Sequence, residues 1–227
     1  MADARSEILS RIRRALRGVQ ALPLPPEGPV PEAAPYRADL QKDLVGRFVQ
    51  EAARLGVRVH RSCEGELVRT VSEILRAEGA RQVGVAEGVW RLVGPLCAAG
   101  FEVGGVEVAR EADAGLTGAD WGIAETGSLV LLVGPAQDRL LSLLPPVHIA
   151  LLPEDRIVAD LDALFERLAP CDLPAALTFI TGPSRTADIE QTLTPGVHGP
   201  GVVHVVLVGP AERRTAFPPD GGLLHEG

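Results

Sequence analysis

At 227 residues the chain is long for one small domain and short for two, so one domain with appendages is expected. A hydrophobic fraction of 46% supplies a sizeable core, which Leu, Val and Ala must fill because aromatics make up only 4%. The net charge of −8 argues against an electrostatic nucleic-acid binder, and the three cysteines, Cys63, Cys97 and Cys171, are too scattered for a thiolate zinc site or a cluster-binding run.

Residues 1–20 read as a basic amphipathic helix. Ile8, Leu9, Ile12 and Leu16 recur at helical spacing, against a face carrying Arg5, Arg11, Arg13, Arg14 and Arg17. Either this helix docks on the core or a partner, or it is a solvated basic helix. The proline-rich segment 21–35 cannot sustain a helix and is expected as an extended linker. The core is expected over 36–210, with 211–227 as a fraying tail.

Within the core, Leu40, Leu44, Val45, Phe48, Val49, Ala52 and Leu55 form one stripe, predicting a helix over 39–56 closed by Gly56. A strand follows at 57–60, then a helix over 65–79, a strand at 82–86 and a helix over 89–100. Short β segments then dominate, around 101–108, 120–125, 128–133, 147–152, 177–181 and 202–208, interrupted by a helix over 157–168. Helices alternating with apolar strands predict an α/β fold: an open, mostly parallel sheet with helices on both faces. The isolated thiols suit a reducing compartment. No leader segment or apolar run of transmembrane length is apparent, so a cytoplasmic location is expected.

Two constellations could carry chemistry. In "DWGIAETGS" the strand period puts Trp121, Ile123 and Glu125 on one face, with Glu125 at the strand end beside Thr126, Gly127 and Ser128. Ligands of open α/β sheets bind beyond the carboxyl ends of strands. A carboxylate there can serve as nucleophile, general base or ligand acceptor; the plain alternative is a strand-end acid accepting turn amides.

In "FITGPSRTADIEQTLTPGVHGPG" a strand runs into Gly182, Ser184, Arg185 and Thr186. Thr186 is predicted to cap a short helix whose first turn holds Asp188, so free amides and Arg185 could bind an anion. The alternative is an ordinary connection with capping residues, and no Walker pattern is present. Thr194, Gly196 and His198 belong to a loop that could line a site, His198 as acid/base or oxyanion donor, or as a plain solvated histidine. His204 reads as a satisfied core histidine. No histidine spacing supports a metal site.

Together, "LTGADWGIAETGSLVLL", "LLPPVHIALLPEDRIV" and "FITGPSRTADIEQTLTPGVHGPGVVHVVLV" resemble the LUD domain, and more narrowly the lactate utilization protein C subfamily. The resemblance covers roughly 36–210, and the basic N-terminal helix matches as well. It implies a fold of the NagB/RpiA/CoA-transferase type. It also implies membership of a cytoplasmic three-protein system that oxidises L-lactate to pyruvate, whose sister proteins carry the iron–sulfur clusters. This chain, without clustered cysteines, corresponds to the cluster-free member, and no cofactor of its own is implied. CoA transferases attack acyl-CoA with a glutamate in a Glu-Asn-Gly-type turn; here Thr126 replaces the amide residue, and the chain supplies one half rather than two. Three roles follow: a non-redox component of the lactate system whose pocket binds a small anionic or phosphate-bearing ligand, an independent CoA-transferase-like or anion- or nucleotide-binding enzyme using Glu125, or a structural subunit docking through its N-terminal helix.

Overall fold

The structure, a computed structural model, describes residues 4–17, 43–133, 137–169, 176–187, 193–195 and 199–209. The chain divides into two units, Met1–Tyr36 and Arg37–Gly227. In the first, helix α1 (Ala4–Ala15) carries Glu7 in its first turn and Arg13 and Arg14 in its last, matching the helix dipole at both ends. Its apolar stripe is open: Ile8 is 56% exposed and Ile12 48%.

The second unit is organised by strand pairing between distant segments. Among the described residues, six strands form one sheet in the order β1-β12-β7-β4-β2-β3, every neighbouring pair parallel. They are β1 (Arg58–Cys63), β2 (Gln82–Val85), β3 (Glu102–Gly104), β4 (Ala114–Gly118), β7 (Val147–Pro153) and β12 (Val202–Gly209). A second, mixed sheet has the order β8-β5-β6-β9, from β5 (Trp121–Ile123), β6 (Ser128–Val133), β8 (Ile157–Val158) and β9 (Ala176–Ile180). A small antiparallel ribbon pairs β10 (Arg185–Ala187) with β11 (Leu193–Pro195).

Helix α2 (Leu44–Arg54) begins where the Asp43 carboxylate accepts the Gly46 N–H at 2.8 Å, a side-chain N-cap. Its stripe buries Phe48 and Ala52 completely. These pack with Leu152, Val205 and Leu207 of the large sheet and Ala124 and Leu129 of the small one. A fully buried Phe or Leu side chain contributes about 1.5–3 kcal/mol, so this three-way junction fixes the small sheet to one face of the large one. The other face is covered by α3 (Leu67–Ala77) and α4 (Val93–Ala98), which bring Val71, Leu75 and Leu96 onto Val83, Leu116, Ile149 and Val206. Helix α5 (Leu161–Leu168) lays Leu164 and Leu168 on Ile123, Val130 and Val158 of the small sheet.

The expected α/β architecture with helices on both faces is present, with local differences. Strand β4 was not anticipated, because its sequence, AGLTG, offers little β-branched or apolar signal. Its Gly115 is dictated by tertiary contact: a Cβ there would stand 1.8 Å from the Leu141 carbonyl oxygen. The helix expected from 157 starts at Leu161, since Ile157 and Val158 pair with β5 and Asp160 supplies the cap, its Oδ1 accepting the Ala163 N–H at 2.8 Å. The helix expected over 89–100 is a 3-10 turn (Glu87–Leu92) followed by α4, broken at Val89 with φ −124°. Finally, Thr186 caps no helix: it lies within β10, opposite Thr194 of β11.

Candidate functional site

The parallel strands end on a common side, and there the structure opens a cavity of about 390 Å³. Its wall takes one contribution from each of five strand ends: Glu64 after β1, Ala86 after β2, Thr117 and Gly118 of β4, Pro153 of β7 and Val208 of β12. Leu131, Leu132 and Arg139 close it from the small sheet and the 3-10 turn Gln137–Ser142. The position follows from the topology. β2 leads to β3 on one side and β4 leads onward to β7 on the other, so the chain's connections part between β2 and β4. Open α/β sheets form ligand crevices at such a switch point.

Among the described residues four charged ones line this cavity, and three have partners. Arg91 Nε donates to Glu64 Oε1 at 3.0 Å. Asp120 Oδ2 accepts the Leu132 N–H at 2.7 Å. Partial desolvation beside the cavity raises the Asp120 pKa, against the lowering effects of that amide and of Arg156. The Arg139 guanidinium has no partner among the described residues.

The polar group deepest in the wall is the Thr117 hydroxyl, 2.9 Å from His148 Nε2. Thr117 is 2% exposed and His148 not at all. Burial alone depresses the His148 pKa to about 4, so the ring is neutral at physiological pH. Its Nδ1 has no hydrogen-bond partner among the described residues.

Of the sequence-predicted residues that are described, none lines this cavity. Glu125 is in the β5–β6 turn of the small sheet rather than at a strand end of the large one. Its amide donates to the Ala159 carbonyl at 3.0 Å. Its half-buried side chain has no partner among the described residues. Gly127 closes the turn with φ 64°, and a Cβ on it would fall 2.3 Å from the Ala52 nitrogen, so the turn is pressed against α2.

The structure does bring Thr126, Ser128 and Gly182 together. The hydroxyls of Thr126, Ser128 and Thr181 form a chain with both links at 2.8 Å, and Gly182 lies against Leu55 at the end of α2. The Ser184 N–H donates to the Pro200 carbonyl at 2.9 Å, joining the two arms of the 182–200 segment. Arg185, Thr186 and Thr194 are ribbon residues; Asp188, Gly196 and His198 lie outside the described residues. The anion site built from a helix N-terminus at Thr186 therefore loses its premise, because the Thr186 backbone is committed to a β ladder.

Sequence reasoning missed Glu64, Arg91, Thr117, Asp120 and Arg139. The signal that could have found two of them is positional: Glu64 and Asp120 lie just beyond the parallel strands β1 and β4. Near the amino ends of β1 and β12, a second polar cluster joins His60, His204, Glu78 and Arg58. His60 Nε2 and His204 Nδ1 are 2.9 Å apart, and His204 Nε2 is 3.2 Å from Glu78 Oε1, which also pairs with Arg58. His204 is thus the satisfied core histidine expected. Among the described residues no group of three or more His, Cys, Asp or Glu is placed to hold a metal, and no helix is long and apolar enough to cross a membrane.

The sequence model of the family described as LUD domain matches residues 106–208. A lactate utilization protein C of Deinococcus radiodurans is 33% identical over 221 residues, taking in 92% of this chain and 97% of that protein. Its counterpart of the same name in Anoxybacillus flavithermus is 29% identical over 204 residues, 85% of this chain and 92% of the relative. Another from Halalkalibacterium halodurans reaches 43% over 100 residues; that match spans only 44% of the relative's length. Among solved structures, a DUF162 family protein from Deinococcus radiodurans superposes with a TM-score of 0.58 at 29% identity, over 74% of this chain and 97% of that one.

Proposed function

Because the chain belongs to the LUD-domain family, in its lactate utilization protein C subfamily, we propose that it is the cluster-free component of a cytoplasmic system oxidising L-lactate to pyruvate. The observation that carries this reading is the nearly end-to-end relationship with the Deinococcus radiodurans lactate utilization protein C. Oxidation of lactate releases two electrons and two protons. The scattered cysteines of this chain suit a member that leaves the electrons to iron–sulfur partner proteins. Its own contribution is binding and positioning. The switch-point cavity and the Glu125 turn are the two candidate places, the latter because Glu125 is half-buried without a described partner.

The test is reconstitution of lactate-dependent dye reduction from the purified partner proteins with and without this chain. Reduction should require it, and an unchanged rate in its absence overturns the proposal. Glu125→Gln added in place of the wild type separates a chemical turn from a structural one: full activity removes Glu125 from the site. A second reading, a subunit that docks through α1, is favoured by the open Ile8–Ile12 stripe beside its arginines. It expects loss of co-purification with the partners when residues 1–20 are removed, with Glu125→Gln and Arg139→Ala remaining active.

A further inference from the structure

Thr117 has one hydroxyl proton, and the His148 ring decides where it points. His148 is neutral and enclosed, so it carries a proton on one nitrogen only. Nδ1 has no partner among the described residues. A buried N–H without an acceptor is costlier than a buried acceptor without a donor, so the proton belongs on Nε2. Nε2–H then donates to Thr117 Oγ1 across 2.9 Å, and the Thr117 proton is left to donate elsewhere. Thr117 has no second partner among the described residues, and the cavity it lines is the remaining outlet.

The rest of the wall agrees with an acceptor at that point. Arg91 is engaged by Glu64 and Asp120 by the Leu132 amide, which leaves Arg139 as the cation without a partner among the described lining residues. Val89, Leu131, Leu151 and Val208 supply apolar wall. A volume of about 390 Å³ falls within the range of organic-ligand sites. At roughly 30 Å³ per water it has room for about a dozen waters, most of which a three-carbon acid would leave in place.

We propose that this cavity binds an organic anion larger than lactate, with an apolar body against the Val and Leu walls and its acidic group held by Arg139 and the Thr117 hydroxyl. His148 is the positioning residue that keeps the Thr117 proton turned toward the ligand. The proposal does not depend on the lactate role: it concerns binding by the purified chain, so either reading can fail alone.

The test is a fluorescence titration of the full chain with anilinonaphthalene sulfonate, an apolar ring system bearing one acidic group. Saturable binding at one site is expected. Arg139→Ala and Thr117→Val should each weaken it about tenfold to a hundredfold, the worth of a hydrogen bond to a charged group. Thr117→Ser should bind as wild type. His148→Leu should weaken binding, while His148→Gln, whose side-chain N–H₂ can replace Nε2–H, should restore it. Should His148→Leu fail to fold, nitrogen-15 spectra of the wild-type imidazole decide the same point, because the Nε2–H tautomer is required. Displacement of the probe by benzoate identifies the acidic group as a carboxylate, and by AMP as a phosphate. Displacement by neither, or by L-lactate as readily, overturns the proposal. So do absent probe binding, wild-type affinity in Arg139→Ala and Thr117→Val, or an Nδ1–H tautomer.

Discussion

Acid should loosen this fold through one side chain whose contribution can be isolated. His148 is wholly buried, and its folded pKa is about 4 against an ordinary 6.5. The folded state favours the neutral ring, so on acidification the unfolded chain takes up the proton first. Stability associated with His148 is therefore complete above pH 6.5 and is lost as pH falls toward 4. A displacement of about 2.5 pKa units at 1.36 kcal/mol each sets a ceiling near 3 kcal/mol, of which about 2 should be gone by pH 5. His60 and His204 have pKa values lowered chiefly by burial and act in the same direction, so wild-type data alone would mix the three. Urea unfolding of wild type and His148→Gln at pH 7.5 and pH 5 removes that ambiguity. The wild type should lose about 2 kcal/mol more than the variant between the two conditions. Equal losses would mean that His148 is not held neutral by burial, and would remove the basis for its tautomer as well.

Other perturbations have equally direct outcomes. Gly127→Ala puts a side chain at φ 64° and a Cβ 2.3 Å from the Ala52 nitrogen, so it should lower the urea-derived stability by about 2–5 kcal/mol; a change below 1 would contradict the fit of the turn on α2. Asp43→Ala deletes the cap on Gly46 and should cost about 1 kcal/mol, read from the shift in urea midpoint, with no shift refuting the cap. Gly115→Ala directs a Cβ to within 1.8 Å of a backbone oxygen, which no rotamer relieves. Destabilisation beyond about 4 kcal/mol or insoluble expression is expected, and a soluble variant of wild-type melting temperature would refute the contact.

What the sequence disclosed, and what it withheld, divides along the range of the interactions. α2 and α3 were readable because their apolar stripes recur every three or four residues and each run ends at a glycine with positive φ, Gly56 and Gly79. β6 coincided with its expected span, 128–133, because an unbroken apolar run is a local signal. β4 escaped because its identity comes from neighbours in space, Val83 on one side and Val147 on the other, rather than from its own small residues. Thr186 misled for the same reason: its cap-like surroundings were outweighed by pairing with Thr194. The crevice rule was applied to Glu125, whose strand belongs to the smaller sheet. Strand membership is decided by long-range pairing, and so is the choice of residues that meet at the crevice.

The junction Ala119–Asp120 has a mechanical consequence. Ala119 donates its amide to Leu151 in the large sheet, and the next residue donates to Val130 in the small one. The Asp120 side chain then doubles back to the Leu132 amide. Two adjacent peptide groups thus rivet the sheets together with no slack between them, beside the cavity. Any opening of the seam must break these bonds together, so the amides of Ala119 and Leu132 should exchange with solvent at one shared free energy. A molecule lodged between the sheets would tighten both by the same amount, making these protons a matched pair of strain gauges at the mouth of the site.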